Sequence, residues 1–201
     1  MLHPDTEVRW ISEEIGCGIV ATRDIPKGTI TWVQDPLDRL FDPQQVAALP
    51  ARCQETLFKY SYRNRHGSYV FCWDNTRFMN HSFNPNCITT AYNFELAVRD
   101  IAEGEELTND YGSLNIVEPF HACDEGSERK IVYPDDLARH HEQWDKKLEG
   151  AFKRIKTVEQ PLRELLSAEQ WEKSCQIADK PTLMDSILNC LHRPATGLEA
   201  V

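Results

Sequence analysis

The feature that most constrains this chain is a succession of short β-rich runs between Glu7 and Gly112, each cut off by a turn. Residues 8–11, 18–21, 29–33, 69–73, 88–92 and 94–98 are rich in β-branched and aromatic side chains at strand-like lengths, and many short strands imply several small sheets. One helical island interrupts them at 42–60, where Asp42 can cap, Pro43 suits the first helical position and Pro50 restarts the helix. The segment RDIPKG (23–28) returns as RDIAEG (99–104), each leading out of an apolar run. A repeat array would need at least about three units, so these read as two structural turns.

After Pro134 the texture changes. Leu137, Trp144, Leu148, Phe152 and Ile155 fall at helical spacing, and Leu162, Leu165 and Leu166 are expected to begin a second helix after Pro161. SAEQ (167–170) and TLMD (182–185) resemble capping boxes opening two further helices, the last stopped before Pro194. The expectation is an α+β fold whose C-terminal helical subdomain, about four helices with one apolar stripe each, packs on the β portion.

GCGIVA (16–21) spells G-x-G-x-x-A, a form of the dinucleotide-binding fingerprint. That pattern works only where a helix starts inside it and an acidic residue follows about 20 residues on. Here Pro26 and Gly28 stand where the helix would run, and β-branched alternation then resumes. What remains is a strand pair bent at two glycines, a place where a backbone can approach a ligand closely.

Length and charge narrow the classes further. The chain has 201 residues, 41% hydrophobic and 27% charged, enough for one compact domain with a small appended subdomain. A net charge of −10 offers no general attraction to nucleic acid or to an anionic membrane, and favours cationic partners such as lysine-rich segments. Seven cysteines without a C-x-x-C pair read as free thiols of a reducing compartment. The first residues show neither a basic n-region nor an apolar h-region, so a cytoplasmic or otherwise intracellular soluble protein is expected.

The chemistry is concentrated in RFMNHSFNPNC (77–87), where Asn80, His81, Ser82, Asn84 and Asn86 are flanked by Phe78, Met79 and Ile88. Such a polar group entering a core must be satisfied by backbone or ligand. This stretch resembles the R-F-x-N-H-S-x-x-P-N signature of SET-domain protein lysine methyltransferases. GCG upstream and EELTNDYG (105–112) downstream are similar to that family's G-x-G and E-L-x-x-D-Y motifs. Three motifs in the right order over residues 7–112 are far more specific than any one alone.

The resemblance implies a SET domain at 7–112, in which the helical island at 42–60 is an insert; the rest of the chain is expected to divide into a connecting segment at 113–134 that closes the site and a helical subdomain at 135–193. It implies S-adenosyl-L-methionine as methyl donor, a lysine-containing protein as acceptor, and a pseudoknot in which the E-L-x-x-D-Y segment threads beside N-H-S. Gly16, Cys17 and Gly18 would offer backbone groups to the cofactor. Arg77, Phe78, Asn80 and His81 would complete its pocket, with Arg77 near the methionine carboxylate and Asn80 and His81 near the adenine. Tyr111 would be the catalytic tyrosine, also beside the cofactor. Alone, Tyr111 reads as an ordinary buried tyrosine, and His81 as a satisfied core histidine.

The chemistry itself needs a neutral amine lone pair in line with a methyl group, so alignment is most of the work. A lysine in water has a pKa of about 10.4, and an apolar channel disfavours its ammonium form. No general base is evident in the sequence.

The chain departs from the family pattern in two places. Many members hold a structural zinc through a cysteine of N-H-S-C or P-N-C and a cysteine run after the tyrosine. Here Phe83 follows Ser82, and Cys87 and Cys123, with His121 nearby, fall short of a tetrahedral site, so no metal is expected. The 113–134 connection and the later helices must then close the site, with Phe120 or Tyr133 as a candidate lid over the adenine. Tyr60, Tyr62 and Tyr69 are candidates for the substrate groove. Thr89 stands where some members place a channel tyrosine, which suggests room for more than one methylation. A different class of reading is a SET-like scaffold that binds a lysine-rich partner without turnover. A Cys87/His81 hydrolase lacks any local nucleophile signature.

Overall fold

The computed structural model describes residues 1–122 and 126–194. Its strands are β1 (Thr6–Ser12), β2 (Gly16–Ala21), β3 (Ile30–Val33), β4 (Arg39–Phe41), β5 (Ser61–Arg63), β6 (Tyr69–Phe71), β7 (Asn80–His81), β8 (Cys87–Thr89), β9 (Phe94–Ala97), β10 (Glu106–Asn109), β11 (Phe120–His121) and β12 (Ile131–Val132). They form four small sheets, in the orders β1-β2-β10-β7, β3-β9-β8, β4-β6-β5 and β11-β12. Gly16 adopts φ +84°, which lets the β1–β2 hairpin turn and re-enter the ladder after a register shift between Trp10 and Ser12.

The helical island forms as two pieces, α1 (Pro43–Ala47) and α2 (Ala51–Tyr60). Asp42 caps the first in a reciprocal capping box with Gln45, and Pro50 stands at the N-cap of the second. The two RDI turns face each other: Ile25 and Ile101 exchange backbone hydrogen bonds of 2.8 and 2.9 Å, and both side chains are buried.

Downstream lie α3 (Asp136–Phe152) and α4 (Ala168–Asp179), the latter opened by the expected Ser167–Gln170 capping box. Leu137, Trp144, Leu148 and Phe152 of α3, and Ile155 beyond it, pack with Ile30, Val33, Ile88, Phe94 and Leu96 of the β3-β9-β8 sheet. Sheet and helices therefore share one core. A second cluster, with Ile19, Met79, Cys87, Ala97 and Leu107, lies against the β1-β2-β10-β7 sheet. No helix among the described residues is long and apolar enough to cross a membrane.

Two of the four expected C-terminal helices do not form. After Pro161 there is only a 3₁₀ turn, Arg163–Leu165, because Leu166 is already extended (ψ 138°) to present the Ser167 cap. So few residues between a proline and a cap cannot nucleate an α-helix. TLMD does not open a helix either. Thr182 sits in a 3₁₀ turn, Pro181–Leu183, Met184 is extended, and a further 3₁₀ turn, Ile187–Cys190, follows. Asp145 of α3 decides this, accepting from Ser186 Oγ at 2.5 Å and Ile187 N at 2.8 Å, which ties the segment across α3 and buries Ile187.

Candidate active site

Three motifs far apart in the chain meet in one sheet. β10 lies between β2 and β7, antiparallel to the first (Glu106 opposite Val20, Leu107 opposite Ile19) and parallel to the second (Thr108 opposite Asn80, Asn109 opposite His81). Asn86 supports this register from inside the core. Its Nδ2 donates to Glu106 O at 2.8 Å and its Oδ1 accepts from Thr108 N at 2.8 Å. Ser82 N donates to Asn109 O at 3.0 Å, extending the β7–β10 contact beyond the strand. The polar cluster of the N-H-S segment is thus largely satisfied by β10 backbone.

Gly18 is required by close approach. A Cβ there would stand 2.2 Å from Glu106 Oε1, 2.8 Å from Ile11 Cγ1 and 2.9 Å from Asn80 Nδ2. Asn80 uses that space, donating through Nδ2 to Cys17 O at 3.0 Å and to Glu106 Oε1 at 2.7 Å. Gly16, by contrast, has nothing within 4 Å of where its Cβ would be. Gly16, Cys17, Gly18 and Asn80 therefore converge.

His81 and Tyr111 meet next to them. Tyr111 N donates to His81 Nδ1 at 3.1 Å, and their rings lie 5.5 Å apart. The Tyr111 hydroxyl donates to Met79 O at 2.6 Å, and burial, reinforced by the charges of Glu106 and Glu95, pushes its pKa up to about 12. At neutral pH Tyr111 is a neutral phenol, able to orient a partner but not to act as a resident base. Behind it Asp110, buried, is held by Arg129, whose Nη1 reaches Asp110 Oδ2 at 2.5 Å and whose Nη2 reaches Asp136 Oδ2 at 2.6 Å.

In front of Tyr111 opens a cavity of about 590 Å³. Its walls include Trp32, Tyr60, Tyr62, Tyr69, Tyr111 and Phe120. Trp32 meets Tyr62 edge-on at 6.0 Å, and Tyr60 meets Phe78 at 5.7 Å. The three candidate groove tyrosines thus line a single space. Arg77 lines it too, donating through Nη1 to Trp73 O at 3.2 Å with its guanidinium over the Phe78 ring.

Of the two candidate lids, Phe120 packs 5.8 Å from the His81 ring and 6.0 Å from Tyr111. Tyr133 stands elsewhere, under the guanidinium of Arg139 in a separate hollow. Thr89 is not on the cavity wall; its hydroxyl, buried, donates to Glu95 Oε1 at 2.9 Å. Cys87 is fully buried, and burial pushes its thiol far above the usual range, which removes the thiolate a hydrolase would need. Cys123 lies outside the described residues.

Sequence reasoning missed two wall residues, Glu95 and Asn109. Both are buried, and Asn109 Nδ2 donates to Glu95 Oε1 at 2.5 Å and to Thr89 Oγ1 at 3.1 Å. The signal was a glutamate inside the otherwise apolar run FELAV (94–98), all of which is buried. Desolvation raises the Glu95 carboxyl from 4.5 to about 7, against the lowering effect of its hydrogen bonds from Thr89 and Asn109. Because the folded state then holds a proton that the unfolded chain releases earlier, stability should fall as pH rises from about 4.5 through about 7, by about 3 kcal/mol. Unfolding midpoints across that range should show this slope, and Glu95→Gln should flatten it. An unchanged slope in the variant would assign the effect to other groups.

Residues 16–112 match the family model described as the SET domain. Among curated proteins, an N-lysine methyltransferase of Danio rerio, KMT5A-A, is 36% identical over 120 residues, covering 52% of this chain and 34% of that protein. The chain thus spans about a third of that relative's length. Solved structures that match include a Plasmodium falciparum protein described as a candidate histone methyltransferase, at 17% identity and TM-score 0.40, covering 55% of this chain and 95% of that one. Another is the methyltransferase domain of human histone-lysine N-methyltransferase SETMAR, at 20% identity and TM-score 0.40, covering 56% and 45%. The match to the SET domain model over residues 16–112 runs through the glycine strand, the N-H-S segment and the D-Y strand, which pair in one sheet.

Proposed function

We propose that this chain transfers methyl groups from S-adenosyl-L-methionine to a lysine side-chain amine of a protein substrate. The observation that carries the reading is the placement of Tyr111, which touches the glycine–asparagine corner through His81 on one side and the aromatic cavity on the other. A donor site and an acceptor channel that meet at one phenol are what a transfer between two bound molecules requires.

The residues at the corner fit the donor in kind. Open space adjoins Gly16, Cys17 and Asn80 are half-buried, and the rings of His81, Phe83 and Phe120 cluster beside them. When bound, S-adenosylmethionine supplies an electrophilic methyl group on a sulfonium. The chain's own share is positional. Tyr111 offers a neutral hydroxyl for orienting the amine, and the aromatic walls exclude water. The relative's name, an N-lysine methyltransferase, agrees with lysine as the acceptor.

Calorimetry of the full chain with S-adenosylmethionine tests the reading directly. Wild type should give binding heat, and Gly18→Ala, whose methyl group would collide with Glu106 and Asn80, should reduce the affinity at least tenfold, or about 1.4 kcal/mol. A wild-type chain that gives no heat sinks the proposal. A scaffold that binds a lysine-rich partner without turnover predicts that null result.

A further inference from the structure

We propose that Glu95, with Asn109 beside it, forms an acceptor site for an alkylammonium group at the buried end of the aromatic cavity, and that the Glu95 carboxylate takes the proton this ammonium must lose before alkylation. This rests on the function proposed above, and it supplies the base that the sequence lacks.

Glu95 is almost wholly buried, yet only one of its oxygens is used: Oε1 accepts from Thr89 Oγ1 and Asn109 Nδ2. Its Oε2 and the Oδ1 of Asn109 are buried without a hydrogen-bond partner, and both residues line the cavity. A carboxylate kept only for structure would have both oxygens satisfied, because a buried acceptor without a donor is costly. Two open acceptors, with no ion pair to Glu95 among the described residues, select an occupant that brings N–H donors.

The surrounding rings select its charge. Trp32, Tyr62 and Tyr111 share the wall, and aromatic faces attract an ammonium while tolerating its alkyl stem. A phosphate or carboxylate occupant would meet Glu95 as a like charge. In the proton step, one N–H bond of the ammonium breaks, its electron pair stays on nitrogen as the lone pair, and the proton forms an O–H bond at Glu95. A carboxyl that ionises near neutrality suits this exchange. The groups within electrostatic range of Glu95 are the chain's amino group, Tyr62, Cys72, Cys87 and Tyr111. Lys59, Arg63, Arg77 and Glu118 complete the charged part of the cavity wall.

The test titrates the full chain with n-butylamine and with n-butanol, following the Trp32 indole N–H resonance by NMR. Because the donor is left out, failure here is separate from failure of the donor calorimetry. At about pH 8, wild type should bind the amine at least about tenfold more tightly than the alcohol, a ratio expected for hydrogen bonds to a charged acceptor. The ratio should collapse in Glu95→Gln, and in wild type at about pH 5.5, where butylamine is still an ammonium but Glu95 is protonated. The wild-type pH comparison decides the matter even if the variant does not fold. Equal binding of amine and alcohol at about pH 8, as a buried water bridging the two oxygens would give, overturns the proposal. So does an amine preference unchanged by pH or by Glu95→Gln.

Discussion

Arg129→Ala is expected to destabilise the fold by about 3–5 kcal/mol, the cost of leaving buried charges without their partner. Arg129 bridges Asp110 and Asp136, whose side chains are 1% and 2% exposed. Asp110 also accepts from Gly112 N at 3.0 Å, and Asp136 from Tyr133 N at 3.0 Å, so neither carboxylate can swing out without breaking backbone hydrogen bonds. The same guanidinium covers the Phe83 ring at 4.3 Å. One side chain therefore ties the end of β10, the start of α3 and the N-H-S loop together. Thermal unfolding should drop by roughly 10 °C. Arg129→Lys keeps the charge but loses the fork, and should recover only part of the loss. A shift below about 1 kcal/mol for the alanine variant would mean that both carboxylates find other partners.

Tyr111→Phe is expected to lower methyl transfer at least about 100-fold, or about 2.7 kcal/mol in the barrier. The phenylalanine ring preserves the contacts with His81 and Phe120, and removes only the hydroxyl. Met79 O then loses its donor, which should cost about 1 kcal/mol of stability and leave the chain folded. Labelled S-adenosylmethionine and cell-lysate protein, with wild type and variant in parallel, give the measurement. Donor binding by calorimetry should change little, because the hydroxyl acts on alignment. Equal labelling by the two proteins would remove Tyr111 from the reaction.

Much of the fold was legible in the sequence. The helix starts at Pro43 and Ala168 follow from Asp42 and Ser167, whose caps are local hydrogen bonds. The strands over Val8, Val20, Trp32, Val70 and Phe94 follow from β-branched and aromatic runs. The turn after Ile88 came earlier than expected: β8 ends at Thr89, and Asn93 adopts φ 63° to turn the chain into β9. Two- and three-residue strands such as β7 and β11 carry no periodicity of their own. They exist because a neighbouring strand supplies hydrogen bonds.

The sequence by itself determined the local matters: which segments extend, where α1, α3 and α4 begin or bury a stripe, and which three short motifs stand out from the rest of the chain. These depend on backbone preference and on contacts a few residues long, which composition and spacing encode. Only the tertiary structure decided that β10 enters between β2 and β7, that TLMD yields to Asp145 rather than forming a helix, and that Glu95 ends up buried beside Asn109. Strand partner and desolvation are set by residues tens of positions away, once the whole core has closed.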